Sequence, residues 1–409
     1  MEAIQRAYPS RVTDDEIQQY RLAGLLHDIG HYPYSHAMEE AIREHYSSTL
    51  LSPATGDISS NLDEGAKPLN HESAGERVLT LDHELAKIRD KDYWQTIADI
   101  FRRQKPPRFA NLVSSDLDAD RIDYLMRTAH HTGLPYGNVD IEYLLSQIQL
   151  DDQERICFRS KAIRAAEHLL VCRYFDYQQV AFNKTVAGLE WLLREVLGEL
   201  LTRKKMDCSA NWVENAVTSG AAWHCFDDTY LVQTIRELAN ETMEDTEIGP
   251  MVRAILERTP PKLVGEIEYI AGRDEEAKQN FRRMKTIINH ERPKWADKFG
   301  IPLRHWHIWA KNGIELTKAG SYVPISAALE TGSTDSDKAK DRYEQSLRII
   351  EPNNTTSTPI MEIPYSLMSI LADKALYSLR VYVLLTSEKE SLRTRIREEI
   401  HNTPDLSWK

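Results

Sequence analysis

Apolar side chains recur at helical spacing through the first 200 residues of this 409-residue chain, and this pattern limits the fold most strongly. In TDDEIQQYRLAGLLHDIGH they recur every three or four positions up to Leu26, and Thr13 with Glu16 has the spacing of a capping box. Pro33 is poorly tolerated inside a helix, so it predicts where this helix ends. A second helix is predicted over SSDLDADRIDYLMRTAHH, with Gly133 as its end. We therefore expect a mostly α-helical front.

Strand-like segments are concentrated late in the sequence. PKLVGEIEYI, GIELT, SYVPIS, SLRIIE and SLRVYVLLT are short and strand-like. SPATGDISSNLDEGAKP, ALETGSTDSDKAKDRYE and EPNNTTSTP have the composition of loops. The length of the chain suggests two or three domains. We expect a mostly α fold with a helical core over residues 1–200, a helical extension over 201–310 and a smaller α/β region over 311–409.

Composition excludes several classes of protein. The hydrophobic fraction of 41% and the charged fraction of 28% are those of a soluble globular protein. No apolar run approaches the roughly 20 residues of a membrane span, and the first residues lack the apolar stretch of a secretion signal. The four cysteines are far apart, which predicts reduced thiols, no structural zinc and a cytoplasmic location. A net charge of −12 argues against nucleic acid as a partner but permits a small anionic substrate.

The segment LLHDIGHYPYSH carries three histidines and an aspartate within twelve positions. If the helix continues through it, His27 and His31 share one face, with Asp28 beside them. Imidazole and carboxylate together suit a divalent metal such as Mn, Fe, Ni, Mg or Zn. The alternative is structural, with His31 and His36 as core histidines or as supports for the ligands.

A second group of polar side chains shares one face of the predicted helix that ends at Gly133. Its members, at i, i+3, i+4 and i+7, are Asp120, Asp123, Tyr124 and Arg127. Alone, such a stripe is more often a salt-bridged surface than a site. Combined with the histidine segment and His71-Glu72, it predicts a site for chemistry.

Three segments, LLHDIGHYPYSH, HES and SSDLDADRIDYLMR, occur in this order and together resemble the HD-domain phosphohydrolases. Among these, the chain is most similar to the deoxynucleotide triphosphohydrolases, over about residues 14–200. The resemblance implies a helical HD-domain core, a divalent metal cofactor and a nucleotide substrate. It implies a reaction that splits a nucleoside triphosphate into a nucleoside and inorganic triphosphate. It also implies assembly into a homo-oligomer or a protein complex.

The same resemblance implies roles for individual residues. As metal ligands it implies His27, Asp28 and Asp120. As catalytic imidazole–carboxylate groups it implies His36 with Glu39 and His71 with Glu72. As substrate contacts it implies His31, Arg121, Tyr124, Arg173 and Lys184.

The sequence departs from the family pattern at several positions. The family's first metal-binding histidine lies in an Arg-x-x-His segment, but none of the 26 residues before His27 is a histidine. We therefore expect a missing ligand and weak metal retention. The family's VYxHK reads VAFNK, with Ala181 and Asn183 in place of tyrosine and histidine. Thr128 replaces an aspartate that would hold the sugar. These changes leave the choice between ribose and deoxyribose open.

Two other functions are compatible with the sequence. One is an HD phosphodiesterase that acts on cyclic nucleotides or nucleic acid ends, although the Gly-Tyr-Pro signature of the cyclic dinucleotide branch is absent. The other is a degenerate HD subunit that binds a nucleotide or a protein partner and regulates it. The missing histidine favours the regulatory subunit, whereas the retained His36, His71 and Asp120 favour an enzyme.

Overall fold

The computed structural model describes residues 1–50, 64–102, 107–220, 222–314, 343–372 and 374–409. In these residues the fold is mostly helical with two small sheets, which confirms the predicted fold class. The predicted strand SYVPIS and most of the predicted loops SPATGDISSNLDEGAKP and ALETGSTDSDKAKDRYE lie outside the described residues.

Helices account for most of the described part of the chain. The first eight α-helices are α1 (Glu2–Ala7), α2 (Asp14–Leu26), α3 (Ser35–Leu50), α4 (His71–Leu81), α5 (His83–Ile88), α6 (Lys91–Arg102), α7 (Ala119–Thr132) and α8 (Ile141–Ser146). They are followed by α9 (Ile163–Asp176), a π-helical turn (Tyr177–Ala181), α10 (Lys184–Thr202), α11 (Ala210–Thr218), α12 (Ala222–Cys225), α13 (Asp228–Glu241) and α14 (Ile248–Leu256). The last three are α15 (Glu275–Phe299), α16 (Leu367–Leu371) and α17 (Arg393–His401).

Helix α2 begins as predicted but ends earlier than predicted. The backbone N–H of Glu16 donates to Thr13 Oγ1 at 3.2 Å, and the Thr13 N–H donates to the Glu16 carboxylate at 2.9 Å. The helix ends at Leu26, so the expectation that it continues to Pro33 is wrong. His27 and His31 therefore do not share a helix face.

A tertiary contact explains the early end of α2. Gly30 lies against α4 so closely that a Cβ atom there would be 2.1 Å from the backbone nitrogen of Gly75 and from the carbonyl oxygen of His71. The Tyr32 hydroxyl donates to the Leu69 carbonyl at 3.0 Å. To make these contacts, residues 27–34 form turns and irregular backbone instead of continuing the helix.

Helix α7 agrees with its prediction at the C-terminal end. Gly133 follows the last helical residue with φ 71°, the left-handed conformation that glycine adopts without steric cost. At the other end, the Asp118 carboxylate accepts from the Arg121 N–H at 2.7 Å and caps the helix. This cap fixes the direction of the first turn, which carries Asp120.

The described strands form two sheets. The larger strands β3 (Lys262–Gly272), β4 (Trp306–Ile314) and β7 (Lys374–Val383) make an antiparallel sheet in the order β3-β7-β4. The shorter strands β1 (Ile148–Leu150), β2 (Ile156–Arg159), β5 (Arg348–Ile350) and β6 (Thr358–Pro359) make a second sheet in the order β1-β2-β5-β6. The structure confirms the strands predicted in PKLVGEIEYI, SLRIIE and SLRVYVLLT. β1, β2 and most of β4 were not predicted, and the last three residues of the predicted strand GIELT lie outside the described residues. The prediction of a loop over all of EPNNTTSTP is wrong at its end, where β6 lies.

Helix α10 joins the helical part of the chain to the larger sheet. Trp191 and Leu192 of α10 are buried in the same hydrophobic cluster as Trp309 of β4 and Tyr382 of β7. The opposite face of the sheet packs on α15 and α17. The domain boundaries at residues 200 and 310 stay a prediction. In the described part of the chain, every helix is too short or too polar to span a bilayer.

Candidate functional site

His27, Asp28 and Asp120 meet where α2 ends and α7 begins. His27 Nε2 lies 3.1 Å from Asp28 Oδ1 and 3.8 Å from Asp120 Oδ2. One nitrogen and two carboxylate oxygens of these residues all lie within 4.8 Å of one another. The structure therefore brings together the three side chains that the sequence predicted as metal ligands.

The orientation of His27 suits metal binding. His27 Nδ1 lies 3.0 Å from the Gly24 carbonyl, which can only accept a hydrogen bond, so Nδ1 carries a proton and Nε2 faces the carboxylates. The Asp120 carboxylate raises the pKa of His27 against the opposing effect of burial. A divalent cation would occupy the position of that extra proton, because ligation requires the neutral ring. The donor set of one imidazole and two carboxylates fits Mn, Mg, Fe, Ni or Zn.

Glu39, in the second turn of α3, lies among three histidines. It hydrogen-bonds to His71 Nδ1 at 2.7 Å through Oε1, and the same oxygen lies 3.2 Å from His31 Nδ1. Its other oxygen lies 3.8 Å from Nδ1 of His36, whose side chain is 76% exposed. Burial opposes the effect, but the three imidazoles hold the pKa of Glu39 well below its usual range.

The partner of His71 differs from the one we expected. We predicted a pair with Glu72, but the imidazole of His71 hydrogen-bonds to Glu39. Neighbouring residues on a helix point about 100° apart, so His71 and Glu72 at the start of α4 do not face each other. Glu72 is half-buried. Glu39 is 32 residues away from His71 in sequence, so no local pattern could reveal this pair.

His31 connects the two groups. Its ring stacks on His71 with centroids 4.1 Å apart and planes 17° from parallel. His31 Nε2 lies 3.4 Å from Asp28 Oδ1, on the side of the predicted metal ligands. Burial lowers the pKa of His31, but the carboxylates of Asp28 and Glu39 outweigh burial and raise it to about 9. His31 is therefore suited to carry positive charge beside an anionic substrate.

Two arginines and two tyrosines form a separate group, which includes three of the predicted substrate contacts. Arg121 is buried and donates to the Ser115 carbonyl, and the Arg173 guanidinium lies 5.1 Å from the centre of the Tyr177 ring. Burial raises the pKa of Tyr124, Tyr177 adds to this shift, and the charges of Arg121 and Arg173 oppose it. These four side chains therefore lie close enough to interact electrostatically. Tyr177, which lies in the π-helical turn, was not among the contacts predicted from the sequence.

Some polar side chains of the α7 stripe lie at the surface, and one faces the candidate metal ligands. Asp123 and Arg127 form an exposed ion pair at 3.0 Å, which agrees with the structural interpretation of the stripe. Asp120 instead faces His27. The last predicted substrate contact, Lys184, has its ammonium group 2.7 Å from the carboxylate of Glu266 on β3. Its role in substrate binding stays a prediction.

Comparison with known proteins places this geometry in context. Residues 2–125 match the model of the HD domain. This range contains the metal-ligand candidates and the histidine cluster, which consists of His31, His36 and His71 around Glu39. YwfO of Bacillus subtilis, an uncharacterized protein, is 28% identical over 188 residues, which are 45% of this chain and 37% of YwfO. The deoxynucleoside triphosphate triphosphohydrolase SAMHD1 homolog of Dictyostelium discoideum is 26% identical over 198 residues, 46% of this chain and 34% of that protein. The aligned parts thus span little more than a third of these relatives.

Solved structures share the fold over most of the chain. A phosphohydrolase from Bacteroides thetaiotaomicron superposes with a TM-score of 0.60 at 19% identity, covering 93% of this chain and 83% of that one. A protein from Aquifex aeolicus gives a TM-score of 0.61 at 19% identity, covering 98% of this chain and 83% of that one. The sequence match thus identifies residues 2–125 as similar to the HD domain, and the solved structures show that the chain shares their fold.

Proposed function

We propose that this protein hydrolyses a nucleoside triphosphate, with either ribose or deoxyribose, to a nucleoside and inorganic triphosphate. The observation that carries the proposal is the Glu39–His71 hydrogen bond beside the group of His27, Asp28 and Asp120. It combines a candidate metal site with an oriented imidazole, and each of these can promote the hydrolysis of a phosphate ester. The similarity to the Dictyostelium enzyme supports this choice of substrate.

His27, Asp28 and Asp120 would hold the divalent metal. When bound, the metal supplies positive charge that polarises a phosphate oxygen. His31 lies between Asp28 and Glu39, where its imidazolium would neutralise part of the substrate charge.

The oriented imidazole of His71 would accept a proton and donate it to the leaving group. In the proposed reaction the hydroxyl of water joins the α-phosphorus, the bond between that phosphorus and the 5′ oxygen breaks, and the 5′ oxygen receives a proton. Because His71 Nδ1 donates to Glu39, Nε2 is left to hold that proton and to release it to the leaving oxygen. His36, beside Glu39, would assist from the exposed rim. Arg121, Tyr124 and Arg173 would bind the triphosphate and the sugar.

A substrate panel tests the proposal. The protein is incubated with each of the common ribonucleoside and deoxyribonucleoside triphosphates in the presence of Mn or Mg, and the products are separated by chromatography. Nucleoside with inorganic triphosphate supports the proposal. Hydrolysis of phosphodiesters without release of triphosphate would favour the phosphodiesterase alternative. Nucleotide binding without turnover would favour a regulatory subunit.

We also propose that the active form is a homo-oligomer or a complex with another protein, as the resemblance implies. Light scattering at micromolar concentration tests the homo-oligomer, since a single chain has a mass of 47.1 kDa. A homogeneous species of that mass, fully active in hydrolysis, would contradict the proposal.

A further inference from the structure

One row of side chains crosses the larger sheet from edge to edge. Glu266 on β3, Arg380 on β7 and Trp309 on β4 are paired in register and lie on the same level of the sheet. We call these three residues the sheet row. The sheet row lies on the face of the sheet that is directed towards α10, since Trp309 is buried in the same hydrophobic cluster as Trp191 of α10.

Arg380 is the centre of the sheet row. Only 4% of its surface is exposed. Its Nε donates to Glu266 Oε1 at 3.0 Å, and its Nη1 donates to the carbonyl oxygen of Phe182 at 2.6 Å. Its guanidinium also lies 4.6 Å from the centre of a Trp309 ring. The planar guanidinium thus holds a carboxylate of the sheet and a backbone carbonyl outside it in one fixed geometry.

A second side chain of β7 holds the same segment. The Tyr382 hydroxyl donates to the carbonyl of Lys184 at 2.9 Å. Arg380 and Tyr382 are two residues apart on a strand, so both project from one face. Together they fix the carbonyls of Phe182 and Lys184 on either side of Asn183, which caps α10.

Phe182 connects the hydrogen bonds of β7 to Tyr177 and, through Tyr177, to Arg173. Its N–H donates to the Tyr177 carbonyl at 2.7 Å at the end of the π-helical turn. Its ring contacts the rings of Trp309 and Tyr177, with centroids 5.4 Å and 5.2 Å away. Tyr177 in turn lies under the guanidinium of Arg173. A continuous series of contacts therefore runs from the sheet row to Arg173.

The π-helical turn explains why such an anchorage is needed. π-Helical turns are rare, mostly single-turn features that often occur at functional sites. In this chain the turn separates α9, which carries Arg173, from α10. External hydrogen bonds to Phe182 and Lys184 hold the end of the turn in place.

We propose that the sheet row positions Arg173 and Tyr177 as an anion-binding wall of the nucleotide site, and that Arg380 is the principal positioning residue. The inference rests on the proposed function for the identity of the ligand as a polyphosphate. Arg380 itself does not touch the substrate. Its effect is exerted through the carbonyl of Phe182.

Arg380→Lys tests the inference. Lysine retains a positive charge beside Glu266 but cannot bridge to the Phe182 carbonyl with a planar fork. We expect the Kd for inorganic triphosphate, measured by calorimetry, and the KM for the nucleotide each to rise about tenfold, with kcat and metal content within about twofold of the parent. The matched control is Tyr377→Phe. Tyr377 is a buried residue on the opposite face of the same strand, and the change removes its hydrogen bond of 2.9 Å to the Gly272 carbonyl. This control should leave both constants within about twofold.

A second variant separates positioning from general destabilisation. Phe182→Leu keeps the backbone carbonyl but removes the ring contacts with Tyr177 and Trp309. It should raise the same two constants, and the double variant with Arg380→Lys should show less than the sum of the two effects on a logarithmic scale, because both act through one series of contacts. Additive effects would overturn the inference. So would a change in the control as large as that in Arg380→Lys.

The outcomes also distinguish this inference from the proposed function. If no nucleotide is hydrolysed but Arg380→Lys still weakens the binding of inorganic triphosphate, the positioning role stands and the proposed reaction fails. If nucleotides are hydrolysed but the parent does not bind inorganic triphosphate, or both variants bind it as the parent does, the positioning role fails and the reaction stands.

Discussion

At the scale of single residues, the carboxylate of Glu39 fixes the chemistry of the histidine cluster. Because it accepts a hydrogen bond from His71 Nδ1, the proton of that ring lies on Nδ1 and the other nitrogen is available for a substrate. It also lies against His31, which faces Asp28 on its other side. One carboxylate thus orients the ring of His71 through a hydrogen bond and helps to raise the pKa of His31.

Replacing Glu39 should therefore impair turnover more than metal binding. We expect Glu39→Gln to lower kcat about 10- to 100-fold, the usual cost of losing a carboxylate that orients a histidine. Kinetics combined with elemental analysis measures both properties. Glu40→Gln is the control, since Glu40 is the next residue on α3 and pairs with Arg194 at 2.6 Å. Equal losses in the two variants would contradict this role.

Asp120 should be required for the metal. Asp120→Asn removes one of the two carboxylates facing His27, so we expect the Kd for Mn to rise at least about tenfold. Equilibrium dialysis followed by elemental analysis gives this value. Asp123→Asn, one turn further along α7 in an exposed pair with Arg127, should bind Mn as the parent does. Unchanged binding in both variants would remove Asp120 from the set of ligands.

At the scale of elements, local signals in the sequence located the helix ends that depend on neighbouring residues. The Thr13–Glu16 capping box and the left-handed Gly133 are of this kind. The end of α2 at Leu26 was not predictable, because it depends on a contact between Gly30 and Gly75 of another helix. The hydrogen bond between Glu39 and His71 likewise joins two helices, α3 and α4, through residues 32 positions apart in sequence.

Gly30 should accordingly tolerate no side chain. In Gly30→Ala the new methyl group would meet the backbone of α4, which cannot move aside as a flexible side chain can. We expect a loss of about 1–3 kcal/mol in the free energy of unfolding, together with weaker metal binding. Gly24→Ala on α2 is the matched control, since no atom lies within 4 Å of its Cβ position. This control should gain about 0.5–1 kcal/mol from helix propensity. Urea unfolding measures both, and equal stabilities would disprove the steric argument.

At the scale of the whole molecule, His307 joins the larger sheet to the helical core. Its ring on β4 stacks on Trp191 of α10, with centroids 4.9 Å apart and planes 8° from parallel. Burial lowers the pKa of His307 to about 3, and the charges of Arg194, Arg292 and Lys285 act in the same direction. The folded protein therefore keeps this ring neutral in a range of pH where the unfolded chain protonates it.

Stability should fall on acidification for this reason. Below the ordinary histidine pKa of about 6.5, His307 becomes protonated in the unfolded state but stays neutral in the folded state. The free energy of unfolding therefore decreases as the pH falls, until the pH reaches the folded-state pKa of about 3. Between about pH 7 and pH 5 this group should cost about 1–2 kcal/mol. His307→Phe keeps an aromatic ring on Trp191 but cannot be protonated, so its loss over this range should be smaller by that amount. Urea unfolding at the two pH values gives the comparison, and parallel losses in parent and variant would contradict the assignment.

The contact between Arg380 and the Phe182 carbonyl spans 198 residues, and this separation has a consequence for biosynthesis. A ribosome adding about 5–20 residues per second needs roughly 10–40 s to reach Arg380 after it has made Phe182. During that interval the nascent chain already contains every candidate metal ligand and the three histidines around Glu39, but it lacks the Arg380 and Tyr382 side chains that bond to the Phe182 and Lys184 carbonyls. Full affinity for a polyphosphate should therefore arise only after the last long strand has emerged and folded, well after residues 2–125, which match the HD domain, have been made.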